Sequence, residues 1–160
     1  MKKEAPTPVH AWLVMMKAMQ AITRYLLLDL EKSHLGISDF AVLEALLHKG
    51  PLPVNVIGPK VNLTPGSISV AVDRLLAKGL VTRVESPQDR RVRIVALTPR
   101  GKSLITPIFR QHVATMEKVF AGLSPDQLRQ LETHLKHIGL QAESLFDQTL
   151  AKPPSPRQRV

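Results

Sequence analysis

The sequence predicts a mainly α-helical fold with one small β-hairpin and long helices at both ends. Apolar residues recur at spacings of three and four over most of the chain, which is the period of an amphipathic helix. Residues 80–85 and 92–97 instead have strand character and flank a turn. Of the 160 residues, 44% are hydrophobic and only 4% are aromatic, so a core can form and is expected to be aliphatic.

The first long helix is predicted over residues 9–33. Its apolar positions follow the helical period and include Trp12, Met15, Met16, Met19, Ile22, Leu26 and Leu30. Gly36 is expected to end this helix, and Ser38 or Asp39 is expected to cap a second one, which stops at Gly50-Pro51. Residues 53–60 predict a short third helix that is broken at Gly58-Pro59.

The fourth helix is predicted from Pro65 to Lys78. Thr64 is a favourable N-cap, proline suits the first turn of a helix, and Gly79 closes this one. The hairpin comes next, with residues 86–91 as the polar turn between its strands. Three short helices followed by a hairpin predict a winged helix-turn-helix.

Two long helices complete the chain. Thr98-Pro99 is expected to start a helix over about 99–121, and Ser124 to Gln127 are expected to open the last helix with a capping box. The apolar stripe of the last helix, typical of a coiled coil, is formed by Leu128, Leu131, Leu135, Ile138, Ala142 and Leu145. The predicted organisation is a disordered tail over 1–8, a winged helix-turn-helix lobe over 35–98, a helical dimerisation region over 9–34 and 99–150, and a disordered basic tail over 151–160.

The positive charge is concentrated in one part of the chain. The formal net charge is +9, and the stretch 60–102 alone carries nine basic and three acidic side chains. A local positive field selects phosphate-rich partners, so this stretch indicates a nucleic-acid surface. A solvated surface without a partner is the alternative.

The fourth predicted helix has the features of a recognition helix. Its core side is aliphatic, and its opposite side carries Gly66, Ser67, Val70 and Arg74. Small side chains near a helix N-terminus allow close approach to the major groove. There Ser67 and Ser69 can bond phosphates or base edges, and Val70 can contact a thymine methyl group. The alternative is an exposed helix whose small residues have no partner.

The predicted hairpin has a basic tip. Arg90 and Arg91 lie in its turn with Arg93 just behind them, and arginine suits both narrow minor grooves and phosphates. The carboxylate of Asp89 either orients one of these arginines or only shapes the turn. Arg74 of the fourth helix is expected to reach phosphate or to pair with Asp89.

In these segments the sequence resembles the MarR family of transcriptional regulators. The resemblance rests on Phe40–Gly50, Leu63–Ser69, Val72–Arg83, Asp89-Arg90-Arg91 and Leu97-Thr98-Pro99-Arg100-Gly101. It covers about residues 9–148. It implies a homodimeric repressor or activator, of which a repressor is expected, that binds a pseudo-palindromic operator in double-stranded DNA. The wing arginine of the family maps to Arg91, whereas many members have an arginine where this chain has Val70, so their operator sequences do not transfer.

The residues expected to contact DNA share the tip of the wing or the start of the recognition helix. They are Thr64, Pro65, Gly66, Ser67, Ser69, Val70, Arg74, Asp89, Arg90, Arg91 and Arg93.

The long terminal helices are predicted to form the dimer, because the lobe alone is too small to cover them; a monomeric bundle is the alternative. The resemblance also implies release from DNA by a small aromatic or phenolic ligand bound between the dimer helices and the lobe. The residues expected at that site are His10, Trp12, Met15, Met16, Met19 and Phe40. Dimer packing by Trp12 and the methionines is one alternative to this site. A DNA-binding or architectural protein without an effector is another.

Several other classes are not expected. The chain has no cysteine, which excludes disulfides, thiolate metal sites and thiol redox switches and fits a reducing, cytoplasmic setting. It has no apolar stretch long enough for a transmembrane helix. It also lacks phosphate-binding glycine motifs and a recognisable nucleophile context, so no cofactor and no catalysis are expected. Metal binding through His134 and His137 is not expected either.

Overall fold

The computed structural model describes residues 5–31 and 33–151. In this part the chain forms six helices and three strands, and their bounds are α1 (Pro8–Glu31), α2 (Ile37–Lys49), β1 (Leu52–Pro53), α3 (Val54–Lys60), α4 (Pro65–Ala77), β2 (Val81–Glu85), β3 (Arg93–Leu97), α5 (Pro99–Phe120) and α6 (Pro125–Ala151). The mainly helical fold with a small antiparallel sheet confirms the predicted fold class. Most of the two predicted disordered tails, at 1–4 and 152–160, lies outside the described residues.

The chain divides into two compact units within α5. Residues up to Met116 belong to the first unit, and residues from Glu117 belong to the second. The first unit contains the whole winged helix-turn-helix together with α1. The separate helical dimerisation region stays a prediction.

The sheet is antiparallel and has the strand order β1-β3-β2. β2 and β3 form the predicted hairpin, in a register that runs from Val81 opposite Leu97 to Glu85 opposite Arg93. β1 pairs with β3 through Leu52 and Pro53 and was not predicted, because two residues that include a proline carry no strand periodicity. This short strand joins the segment between α2 and α3 to strand β3 of the wing.

The core of the first unit is aliphatic, as predicted. Its fully buried apolar side chains are Val42, Leu43, Ile57, Ala71, Val72, Leu75, Val95 and Ile105. They come from α2, α3, α4, β3 and α5, so burial of one shared core holds the recognition helix in place. Each buried leucine or isoleucine contributes about 1.5–3 kcal/mol by leaving water.

Two predicted helix starts are confirmed. At α4, the Thr64 Oγ1 accepts a hydrogen bond from the backbone N–H of Ser67 at 3.2 Å. At α6, the backbone N–H of Ser124 donates to Oε1 of Gln127 at 2.8 Å, and the N–H of Gln127 donates to Oγ of Ser124 at 3.3 Å. This reciprocal pair is a capping box and satisfies two amides that a helix start leaves free.

Two local predictions are wrong. The N-cap of α2 is Gly36 rather than Ser38 or Asp39. Both predicted caps lie within the first turn of the helix, and their side chains accept hydrogen bonds from Arg74 of α4 instead. Gly58-Pro59 does not break α3, which continues to Lys60 with the proline inside it. Pro59 lies in the last turn of this seven-residue helix.

Both terminal helices expose apolar side chains. None of the residues of α6 is buried, and its exposed apolar residues include Leu128, Leu135, Ile138, Leu140, Leu145, Phe146 and Leu150. On α1 the exposed set includes Val9, Trp12, Leu13, Met16 and Met19. No helix within residues 5–31 and 33–151 is both long and apolar enough to cross a membrane.

Candidate nucleic-acid interface

The N-terminal turn of α4 forms a small, neutral surface. Thr64 caps it, and its hydroxyl also donates to Oγ of Ser67 at 2.9 Å. The hydroxyl of Ser69 donates to the carbonyl oxygen of Pro65 at 3.0 Å, so this serine is turned back onto its own helix. All four of these residues, Thr64, Pro65, Ser67 and Ser69, are exposed to solvent, although they also contact one another. The turn therefore presents small polar groups to an approaching ligand.

Val70 of α4 is an apolar side chain that is 54% exposed. Gly66, Ser67 and Val70 line an open groove together with Ser38 of α2, and a β-carbon at Gly66 would meet no atom within 4 Å. The helix is therefore unobstructed along this face. The described part of the chain confirms that these predicted residues lie together on one exposed side of α4.

The side chain of Arg74 makes different contacts from those that were predicted for it. Its Nε and Nη2 atoms both donate to Oδ1 of Asp39, at 3.1 and 2.7 Å, and Nη2 also donates to Oγ of Ser38 at 2.9 Å. The expected pairing with Asp89 is therefore wrong. The guanidinium points along the helix surface to α2, where a buried carboxylate attracts it more strongly than an exposed one would.

Asp39 also accepts a hydrogen bond from a second cation. Its Oδ2 lies 3.4 Å from Nζ of Lys78, and its side chain is only 2% exposed. A carboxylate removed from water needs such partners, so the two cations stabilise the packing of α4 on α2. Sequence reasoning missed this contact, although an acidic residue among the apolar positions of α2 was a signal for it. We call Asp39, Arg74 and Lys78 the interhelix clamp.

The strands of the wing carry two ion pairs. Arg83 of β2 pairs with Asp73 of α4, with Nη1 and Oδ1 2.8 Å apart. Arg93 of β3 pairs across the hairpin with Glu85 and also donates to the carbonyl oxygen of Arg90 at 3.2 Å. Arg93 is one of the residues expected to contact DNA, and within the single chain its charge is balanced by Glu85.

The tip of the wing presents two arginines to solvent. Asp89 accepts from the backbone N–H of Arg91 at 2.9 Å and thus shapes the turn. Among the residues that the structure describes, neither Arg90 nor Arg91 has a carboxylate partner for its guanidinium. These two exposed cations can therefore bind phosphate, and their contact with DNA stays a prediction.

The six residues expected at an effector site do not surround one cavity in the described chain. Trp12, Met16 and Met19 are about half exposed on α1, and His10 is exposed too, whereas Met15 is partly buried. Phe40 belongs to the core and lies with its ring centroid 5.0 Å from that of His112.

A different cavity lies between α1 and α5. It has a volume of about 400 Å³ and is lined mainly by Leu26, Leu30, Leu104, Pro107, Ile108 and His112. We call it the apolar cavity. No cluster of three histidine or acidic side chains suited to a metal ion occurs within the described ranges.

Comparison with known proteins identifies the family. A family model described as MarR family matches residues 35–92. The HTH-type transcriptional regulator MhqR of Bacillus subtilis is 35% identical over 136 residues, which cover 85% of this chain and 94% of MhqR. The chain belongs to the MarR family. It is therefore a DNA-binding transcriptional regulator of the helix-turn-helix type, and this family is one of regulators rather than enzymes.

Solved structures of MarR-family proteins share the fold. Bordetella bronchiseptica BpsR, whose DNA binding is regulated by 6-hydroxynicotinic acid, matches with a TM-score of 0.73 at 22% identity, over 81% of this chain and 98% of that one. A mutant of MarR from E. coli complexed with operator DNA matches with a TM-score of 0.72 at 22% identity, over 78% of this chain and 90% of that one.

Proposed function

We propose that this MarR-family protein is a repressor that binds a pseudo-palindromic operator as a homodimer. The observation that carries the proposal is an open, small-residue face on α4 together with Arg90 and Arg91 at the wing tip, which have no carboxylate partner among the described residues. The helix face fits the major groove, and the arginines fit the neighbouring minor groove or its phosphates. A mutant of E. coli MarR that shares this fold is complexed with operator DNA, which supports operator DNA as the ligand in this proposal.

The homodimer is supported by the apolar surfaces of α1 and α6. Exposed apolar patches of this extent are unusual on a monomer and are typical of protein interfaces. On α6 the predicted stripe includes Leu128, Leu135, Ile138 and Leu145, all exposed in the single chain. A second copy would cover these side chains. It would also present two recognition helices to half-sites about one helical turn apart.

Release by a small aromatic ligand is the second part of the proposal. BpsR responds to 6-hydroxynicotinic acid. The apolar cavity of this chain has a volume of about 400 Å³, which is within the usual size of small-molecule sites. Trp12, Met15 and Met16 stay candidates for a site that a second protomer would complete. The alternative is a regulator without an effector, controlled only by its abundance.

Binding to the DNA that flanks the gene of this protein tests the proposal. We expect the chain to bind an inverted repeat there at least about 1,000-fold more tightly than a scrambled duplex, measured by fluorescence anisotropy. Light scattering is expected to give twice the 17.7 kDa mass of one chain, with one dimer bound per repeat. Equal affinity for both duplexes would refute the function as a specific regulator.

A thermal-shift panel separates ligand release from its alternative. Ligands that bind the folded protein raise its melting temperature, by an amount that grows with concentration. We expect at least one compound among phenolic acids and quinols to raise it and to lower operator affinity. If none of them does, regulation without an effector is favoured.

A further inference from the structure

The peptide group between Arg90 and Arg91 at the wing tip is held on both of its polar sides. Its N–H, which belongs to Arg91, donates to Oδ1 of Asp89 at 2.9 Å. Its carbonyl oxygen, which belongs to Arg90, accepts from Nη1 of Arg93 at 3.2 Å. A peptide group is planar and has a Cα at each end, so fixing its two polar atoms also fixes where both arginine side chains begin. We call this group the tip peptide.

Arg93 contacts the tip peptide from within the hairpin. It lies directly opposite Glu85 in the strand register, and the same Nη1 atom that donates to Arg90 also pairs with the Glu85 carboxylate. A guanidinium is a planar group with its N–H bonds in fixed directions, so the carboxylate that holds one N–H also directs the others. Glu85 therefore orients Arg93, and Arg93 connects the paired strands to the tip.

The acid at position 85 is unfavourable for DNA binding if only its charge counts. Its side chain is 55% exposed on a basic wing, where a carboxylate repels the phosphates of DNA. Its ion pair with Arg93 is exposed as well, and exposed ion pairs contribute little to the stability of a fold. Orientation of the tip peptide accounts for both the carboxylate and its partner.

We propose that Glu85 and Arg93 are positioning residues for DNA binding, a role that rests on the proposed function. Together with Asp89 they hold the tip peptide so that Arg90 and Arg91 extend toward the minor groove or its phosphates. Arg93 then acts through the carbonyl group of Arg90 and is not itself a phosphate ligand. A tip that is ordered before binding loses less conformational freedom on DNA, so loss of this support weakens the complex.

The sign of one substitution separates positioning from direct contact. Glu85→Gln removes a negative charge and frees Arg93, so direct phosphate contact by Arg93 predicts tighter binding to DNA. Positioning predicts the opposite. We expect full-length Glu85→Gln to bind the inverted repeat that flanks the gene at least about fivefold more weakly than the wild type, measured by fluorescence anisotropy.

Asp73→Asn is the matched control, because it removes the same charge from a neighbouring ion pair. Asp73 is 60% exposed and pairs with Arg83 of the wing, but in the described chain Arg83 is not among the groups that hold the tip peptide. This variant is expected to bind the repeat as tightly as the wild type or more tightly. Unchanged or tighter binding by Glu85→Gln, or equal weakening of both variants, would overturn the proposal.

A second measurement uses the protein without DNA. Nitrogen-15 relaxation of the Arg91 amide reports how firmly the tip peptide is held on the picosecond-to-nanosecond timescale. We expect an order parameter of about 0.85 in the wild type and in Asp73→Asn, and one below about 0.6 in Arg93→Gln. An unchanged order parameter in Arg93→Gln would overturn the support by Arg93. Failure of the wild-type protein to recognise the repeat would instead refute the proposed function, and this measurement does not depend on it.

Discussion

Gly101 packs against the backbone of Leu80 so closely that no side chain fits between them. A β-carbon at Gly101 would overlap the carbonyl oxygen of Leu80 and lie 2.9 Å from its carbonyl carbon. Thr98 fixes this approach, because its Oγ1 accepts from the N–H of Gly101 at 2.9 Å and its own N–H donates to the carbonyl oxygen of Leu80 at 3.0 Å. The Leu-Thr-Pro-x-Gly motif therefore joins the start of α5 to the start of the wing.

We expect Gly101→Ala to destabilise the protein by about 3 kcal/mol, because a buried backbone contact must open to admit one methyl group. Urea denaturation followed by circular dichroism measures the change. Gly139→Ala is the matched control: Gly139 also lies in a helix, but a β-carbon there would meet no atom within 4 Å. This variant is expected to gain about 0.5–1 kcal/mol from helix propensity. Similar stability of the two variants would show that the contact with Leu80 is not tight in solution.

Most elements of the fold were predictable because their signals are local. The cap at Thr64, the capping box at Ser124 and the stop at Gly50-Pro51 act within one turn of the chain. β1 was missed because its pairing with β3 depends on residues more than 40 positions away, and Leu52-Pro53 alone carries no pattern. Strand pairing of so short a segment is decided by tertiary context.

The residues that we propose to face DNA were predictable in position but not in their partners. Small residues at the start of α4 and the arginines of the wing tip lie where the sequence placed them. Asp39 and Arg74 are 35 residues apart, and nothing in either helix alone shows that a buried carboxylate meets this guanidinium. The helical wheel correctly predicted the face of α4 on which Arg74 lies. It could not show that α2 extends to that face.

We expect Arg91→Ala to weaken operator binding by about 1–3 kcal/mol and to leave stability and dimerisation unchanged. Its side chain is exposed and has no carboxylate partner among the described residues, so little packing is lost. Fluorescence anisotropy measures the affinity, and Arg129→Ala, which removes a cation from α6, is the control. Unchanged affinity in Arg91→Ala would mean that the wing does not reach DNA.

Operator binding is expected to depend steeply on salt. Two protomers that each place several lysines or arginines near phosphate predict a slope of log K against log salt of roughly −5 to −9. We expect a slope at the shallower end of this range, because Arg74, Arg83 and Arg93 are paired with carboxylates within the chain. Titration of affinity against potassium chloride measures the slope. A slope near −1 would contradict a phosphate-binding role for the basic stretch.

We expect Leu135→Asp to abolish the dimer. Leu135 is 45% exposed in the single chain and lies in the middle of the apolar stripe of α6. Burying an unpaired carboxylate in a dimer interface costs several kcal/mol. Light scattering measures the mass, and Gln130→Asp is the control, since it adds the same charge about 140° away around the helix. A Leu135→Asp protein that stays dimeric with full operator affinity would place the interface elsewhere.

The last prediction separates two residues on the same face of α4. Among the described residues, Arg74→Ala leaves the buried carboxylate of Asp39 with Lys78 as its one remaining cationic partner, at 3.4 Å. We therefore expect Arg74→Ala to lower stability by about 1–3 kcal/mol and to weaken binding to every DNA sequence alike. The salt slope should stay unchanged, because a cation that is already paired contributes little to phosphate neutralisation.

Val70→Ala should instead change which bases are preferred. Val70 is 54% exposed and beside the open groove of α4, where its methyl groups can contact a thymine methyl. Loss of that contact weakens binding only to operators that carry the thymine, and it leaves stability unchanged because the side chain is not in the core. Anisotropy on the operator, on single-base variants and on random DNA measures both effects. If Val70→Ala weakens all sequences equally while Arg74→Ala alters base preference, then Arg74 leaves the clamp on binding and contacts a guanine edge.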